Sequence, residues 1–211
     1  MLLLLLLLVV TVFVFPVVLP HGPIGRFVVG VLMTLLLLAG VFAVAEHRRI
    51  VPALVVLSVL SIVVRWTEWI VPSTLLPALR ELSALLALSV LAVAVGINVF
   101  GTGKAVVERV TGAVVLYLLI GLEWAVAYGI LDAHSPGAFT GAGGGSEYTL
   151  EHWVYFSFVT LTTVGYGDIS PVSRAARSLA ILEALVGQLY PAVILARLVS
   201  LSWDKQPPLE D

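Results

Sequence analysis

No cysteine occurs among the 211 residues. That removes disulfides, thiolate metal sites and cysteine nucleophiles together, and leaves the redox compartment unmarked. Charge is scarce as well: Asp, Glu, Lys and Arg make up 11% of the chain, the formal net charge is −2, and no basic block is present. No nucleic-acid partner is expected from so weak an electrostatic footprint. With two methionines and no cysteine, the apolar stretches hold no metal or redox constellation. Nothing pairs a nucleophile with a base, so an enzyme is not expected. What is abundant is hydrocarbon. At 60% hydrophobic residues and a mean hydropathy of +1.11, a chain of this size cannot hide its apolar surface in a water-soluble fold. The expected fold class is an all-α integral membrane protein with the lipid bilayer as its solvent.

Six stretches are long enough to cross roughly 30 Å of hydrocarbon at about 1.5 Å per residue. They are Leu2 to Leu19, Phe27 to Ala45, Ile50 to Ile70, Leu75 to Phe100, Val110 to Leu131 and Ala176 to Ser202. The first has no basic segment ahead of it, runs long for a signal sequence and ends in Pro16 to Pro23 without a small-x-small cleavage site, so it reads as a helix that stays. The connectors Pro20 to Pro23, Glu46 to Arg49, Pro72 to Pro77 and Gly101 to Arg109 are short. One connection is long. Asp132 to Tyr148 includes "GAFTGAGGGSE", too glycine-rich for regular structure, and the "TLEHWVYFSFVTL" that follows is helical in length but short of a span. A half-length helix leading into irregular backbone at membrane depth is tolerated only where protein covers it or where it lines a water-filled cavity.

That irregular backbone is "TLTTVGYGD", Thr160 to Asp168. A dehydrated cation the size of potassium needs a cage of oxygens in place of its water, and backbone carbonyls supply dense, neutral ligands that do not trap it. For successive carbonyls to point one way into a pore, the backbone must alternate between ordinary and φ > 0 conformations. Glycine takes the latter without steric cost, which gives Gly165 and Gly167 their reason.

The run resembles the selectivity filter of potassium channels, whose TVGYG loop is the known example of a carbonyl filter; the assignment is by motif. "YFSFVTLTTVGYGDISP" is similar to their pore helix and filter, and "VGQLYPAVILARLVSL" to their inner helix. The resemblance covers Val110 to Ser202 and does not extend to the first four helices. It implies filter ligands for K+ at Thr163, Val164, Gly165, Tyr166 and Gly167, with Thr163 adding a hydroxyl at the inner mouth. It also implies outward packing of Val164 and Tyr166, and a negative charge at the outer mouth from Asp168. A gating hinge is implied at Gly187, which stands at the family spacing from Pro171, and a cavity-facing amide at Gln188. One filter segment per chain implies a homotetramer with cyclic symmetry. The family topology puts Asp168 outside a cell membrane and, by helix parity, both termini in the cytoplasm. The positive-inside count barely favours this, with Arg48, Arg49, Lys104, Arg109, Arg197 and Lys205 inside against Arg26, Arg65, Arg80, Arg174 and Arg177 outside.

The organisation expected is a four-helix membrane part (1–105), a pore part (106–203) and a short cytoplasmic tail (204–211). Six helices with a pore in the last two invite a voltage-gated reading, but a sensor needs several basic residues in the fourth helix, each worth about 2.3 kcal/mol per 100 mV. "LSALLALSVLAVAVGINVF" has none, so the four helices are expected to brace the pore or to sense something other than voltage. "DKQPPLED" after Trp203 is too short for a nucleotide- or calcium-binding module. The functional expectation is passive, potassium-selective conduction; the alternative is a membrane sensor or assembly subunit whose pore fold carries negligible flux.

Two carboxyls fall within expected spans. Glu123 and Glu183 both lie about 10 to 12 Å below the outer surface at 1.5 Å per residue, and ionisable groups at depth are costly. They are expected behind the filter, at least one protonated and bonded to the pore helix through Ser157 or Thr160, as gating elements or as interhelical glue. Where some bacterial channels carry an acidic partner for the outer-mouth aspartate, this chain has Val159, so Asp168 needs another donor, with Tyr155 and Trp153 as candidates. Pro191 removes a helical hydrogen bond and is expected to bend the inner helix near Gly187, for gating or for packing. Arg65 and Glu68 read as a helical ion pair in an interfacial belt with Trp66 and Trp69. Among His21, His134 and His152, the last is the best candidate for pH sensing, against a merely solvated ring. Asn98 is expected to bond across helices.

Overall fold

The computed structural model describes residues 1–18, 22–45, 50–71, 73–101, 105–141 and 149–203. His21, the Glu46 to Arg49 connector, Lys104, the Gly143 to Gly145 stretch and the tail 204–211 lie outside the described residues. Helix α1 (Leu2–Val9) runs into one π-helical turn, Val10–Val14, and a last short turn, α2 (Phe15–Val18). Even its Thr11 hydroxyl is satisfied inside the helix, donating to the Leu7 carbonyl at 2.7 Å. Proline opens each of the next three helices, α3 (Pro23–Ala43), α4 (Val51–Thr67) and α5 (Leu76–Phe100), in the first turn where a missing N–H costs nothing. The long α6 (Val106–His134) follows. Then come a short strand β1 (Phe139–Gly141), the half-length α7 (Leu150–Leu161), a second strand β2 (Ile169–Pro171) and α8 (Arg174–Trp203).

Helix α5 packs against α4 on one side and α6 on the other, α1 packs on α3 and α6, and α7 packs against both α6 and α8. Successive helices run antiparallel: Gly30 in the first half of α3 lies against Arg65 and Trp66 near the end of α4, and Gly112 near the start of α6 against Val99 near the end of α5, while α3 and α5 run parallel, with Gly40 late in one against Leu91 late in the other. Leu4, Leu36, Leu88, Leu91, Leu119 and Leu122 fill the shared interior, while Leu2, Phe42, Val56 and Ile70 face outward. That outward apolar surface suits hydrocarbon rather than water.

Two expectations change. Among the described residues, four helices are long and apolar enough to cross a bilayer: α3, α5, α6 and α8 over Arg174–Arg197. Leu2–Val17 and Val51–Thr67 are apolar but shorter, so six full spans are not established. The α4 helix ends at Thr67, and Glu68 to Ile70 form a turn after it. The second change is strand structure within the glycine-rich connection. Phe139 pairs with Pro171, Thr140 with Ser170 and Gly141 with Ile169 in an antiparallel ribbon. Gly141 permits it: at φ 136° it passes so near the Asp168 carbonyl that a Cβ would sit 1.8 Å from that oxygen, and only glycine fits.

Candidate functional site

Helix α7 aims the TTVGYGD loop. Its N-terminus is closed by a capping box in which Thr149 Oγ1 lies 2.8 Å from His152 Nδ1, and the Thr149 N–H donates to the same nitrogen at 3.3 Å. His152 therefore works as a cap on the first turn, a role not foreseen for it. At the other end the loop folds back on the helix: the Thr163 N–H donates to the Thr160 carbonyl at 2.9 Å, and the N–H groups of Val164 and Gly165 share the Val159 carbonyl at 3.0 and 3.2 Å. With these amides turned toward α7, left-handed residues alternate with ordinary ones, at Thr163 (φ 59°), Gly165 (58°) and Gly167 (78°). Alternation of this kind brings successive carbonyls to one side of the strand. The two glycines were expected to be left-handed; Thr163 was not, since a β-branched residue rarely adopts φ > 0.

The outer end of the loop is tied down by Tyr155 of α7, whose hydroxyl donates to Asp168 Oδ2 at 2.7 Å, and by the Ile169 N–H, which donates to Oδ1 at 3.1 Å. Tyr155 is thus the partner that the absence of an acid at Val159 left open. Below the loop, one hollow of about 320 Å³ is lined by Thr163, Gly187, Gln188 and Pro191, together with Tyr117 and Leu161. Gly187, Gln188 and Pro191 of α8 thus share one hollow under the loop. Gly187 is a point of close packing: a Cβ there would stand 1.8 Å from the Leu161 carbonyl at the end of α7. Helix α8 runs through Gly187 and Pro191 without a break.

Behind α7 lies a sealed polar knot. Glu183 of α8, Ser157 of α7 and Tyr128 of α6 are each 0% exposed. The Tyr128 hydroxyl donates to Glu183 Oε2 at 2.5 Å, and Ser157 Oγ lies 2.5 Å from Glu183 Oε1 and 2.7 Å from the Gly121 carbonyl. Three helices are stitched at one buried carboxyl. Around Tyr128, rings of Phe139, Trp153 and Phe156 pack at centroid distances of 5.6, 6.4 and 4.8 Å, which joins the ribbon to α6 and α7. Glu123 goes elsewhere. It is half-buried and accepts a hydrogen bond from Ser89 of α5, so only one of the two carboxyls touches the pore helix.

Two smaller expectations are corrected among the described residues. Glu68, just past the end of α4, pairs with Arg80 of α5 at 2.8 Å rather than with Arg65 of α4. Asn98 turns inward on its own helix, donating to the Ala94 carbonyl at 3.4 Å. His134 likewise bonds within its helix, to the Ile130 carbonyl at 2.8 Å.

The sequence profile of the family described as Ion channel matches residues 106–204. Protein LctB of Bacillus caldotenax is 40% identical over 92 residues, 42% of this chain and 67% of its own length. This chain belongs to the ion channel family. Two pore potassium channel c of Oryza sativa subsp. japonica is 36% identical over 98 residues, 46% of this chain and 21% of its own. The inward rectifier potassium channel Kirbac3.1 of Paramagnetospirillum magnetotacticum is 35% identical over 82 residues, 37% of this chain and 24% of its own. The chain therefore spans under a quarter of the length of either channel. No solved structure matches. An ion-channel pore fold, not an enzyme, accounts for the capped half-helix, the alternating loop and the hollow beneath it.

Proposed function

We propose that this chain is one subunit of a potassium-selective channel that conducts K+ passively, down its gradient, through a pore ringed by four copies. The observation that carries the reading is the alternation of left-handed residues at Thr163, Gly165 and Gly167 within TTVGYGD. It suits carbonyls from Thr163 to Gly167 to replace the ion's hydration shell, with Asp168 drawing cations to the mouth. In a single chain the loop is bare, Val164 being 52% and Tyr166 72% exposed, and α8 leaves Ile181, Leu182, Leu185 and Leu189 uncovered; further copies would cover them. The part up to residue 105 braces the pore, since α5 and α1 pack on α6 and Phe13 meets Phe158 of α7 at 6.2 Å. It is not a charged voltage sensor: Arg80 in the first turns of α5 is held by Glu68 and Glu81. With Asp168 facing outside the cell membrane, residues 204–211 and the N-terminus fall in the cytoplasm.

Purified chain in liposomes should pass K+ but not Na+, block with barium, and fall silent with Gly165→Ala, whose new Cβ meets nothing within 4 Å but forces a side chain onto φ 58°. Equal Na+ and K+ flux would overturn selectivity. No flux from wild type in any gradient would favour a pore fold kept for assembly or sensing.

We infer further that Glu183 is held as the neutral acid. Three oxygen–oxygen contacts of 2.5 to 2.7 Å join Tyr128, Glu183, Ser157 and the Gly121 carbonyl. Each needs a proton, and the two hydroxyls bring one apiece while the carbonyl only accepts. The third proton belongs to the carboxyl.

A further inference from the structure

The end of the bundle that carries Asp168 also holds a cleft of about 240 Å³, sharing no lining residue with the hollow beneath the loop and lined by Arg26, Arg65, Glu68, Trp69 and Arg80. Three helix ends build it: the first turn of α3, the end of α4 and the first turns of α5. Its charges do not balance. Arg80 takes both neighbouring carboxylates, with Nη1 2.8 and 3.0 Å from the two Glu68 oxygens and Nη2 2.7 Å from Glu81 Oε1. Three guanidinium groups thus face two carboxylates. Among the described residues neither Arg26 nor Arg65 makes a hydrogen bond or ion pair.

Arg65 is half-buried, and its stem lies over Gly30, 3.7 Å from where a Cβ would stand. A guanidinium positioned in this way offers five donors in a fixed fork, and leaving them empty in a partly dry site is costly. A phosphate oxygen pair fits such a fork in two parallel charge-assisted bonds. The aromatic cluster that continues from Trp69 beside the cleft indicates where the phosphate comes from. Phe27 stands edge-on to Trp66 and Trp69 at 5.5 and 6.2 Å, and the Trp66 indole N–H donates to Thr34 Oγ1 at 3.3 Å. Aromatic rings with a polar handle gather at the headgroup level of a bilayer. We propose that this cleft binds the phosphate of an anionic phospholipid headgroup, gripped by Arg65 and Arg26 beside an Arg80 already locked by its two glutamates.

The inference does not depend on conduction, so the test reads binding. The full chain in detergent is titrated with phosphatidylglycerol, phosphatidylcholine and inorganic phosphate, with bound lipid read by native mass spectrometry. Phosphatidylglycerol should bind best, and the Arg26→Gln/Arg65→Gln pair should weaken it about tenfold, as loss of charge-assisted bonds requires. Arg65→Lys, which keeps the charge without the fork, should fall between. Arg26→Gln alone removes an exposed, unpaired side chain, so it should leave folding intact and still lower phosphatidylglycerol binding. Displacement of phosphatidylglycerol by inorganic phosphate would support the phosphate as the recognised group. Inorganic phosphate binding with no preference for phosphatidylglycerol over phosphatidylcholine would overturn the lipid assignment. Undiminished phosphatidylglycerol binding by the paired variant would overturn the site.

Discussion

At the scale of single residues, the sharpest commitment concerns Glu183. If the carboxyl is neutral, Glu183→Gln is close to isosteric in its bonding: the amide oxygen accepts from Tyr128 and the amide N–H donates to Ser157. That variant should keep the thermal midpoint and flux of wild type. Glu183→Ala leaves a buried tyrosine hydroxyl without its acceptor, at about 1–3 kcal/mol per orphaned group, and opens a cavity besides. Thermal unfolding of both variants decides it, because a carboxylate needed for its charge would make Gln as damaging as Ala. Counting residues along the two spans put Glu183 at one depth with Glu123 and left Ser157 or Thr160 as partners; Ser157 is the one it meets. Tyr128 was not legible, since an aromatic on an apolar helix looks the same whether it faces lipid or a buried acid. The partner of Glu123 was not legible for a related reason: depth fixes distance from the surface but not the face of the helix, and its carboxyl meets Ser89 of α5.

At the scale of elements, the filter segment was the most readable because its demand is conformational and local. The glycines announce positive φ by themselves, whereas Thr163 at φ 59° could be read only from the geometry. Strand pairing at Phe139 to Gly141 hid inside a glycine-rich run because its partner, Ile169 to Pro171, lies beyond α7, and pairing across that distance leaves no periodic trace. The inner-helix glycine shows how spacing and packing yield different explanations for one residue. Its place after Pro171 suits a hinge, but the Leu161 carbonyl would lie 1.8 Å from an added Cβ. Gly187→Ala should therefore cost about 1–3 kcal/mol as overpacking against a backbone atom that cannot step aside, seen as a lower unfolding midpoint. An unchanged midpoint with altered open probability would instead support a hinge.

At the scale of the whole molecule, one chain offers an incomplete surface. The TTVGYGD loop and a strip of α8 stand bare in a single chain, and a cyclic ring of four is the arrangement that would turn four such loops into one ion path. The native mass should then be four times the 22.5 kDa of the chain. Ion binding and assembly should also be linked. An ion held jointly by four loops binds the ring and not its separated subunits, so mass action stabilises the ring by about RT ln(1 + [K+]/Kd). The ring should come apart at a higher temperature in K+ than in Na+ at equal ionic strength, and Gly165→Ala should abolish that difference while leaving the apolar contacts of α8 in place. A ring equally stable in both salts would mean that the loops do not share an ion, whatever holds the helices together.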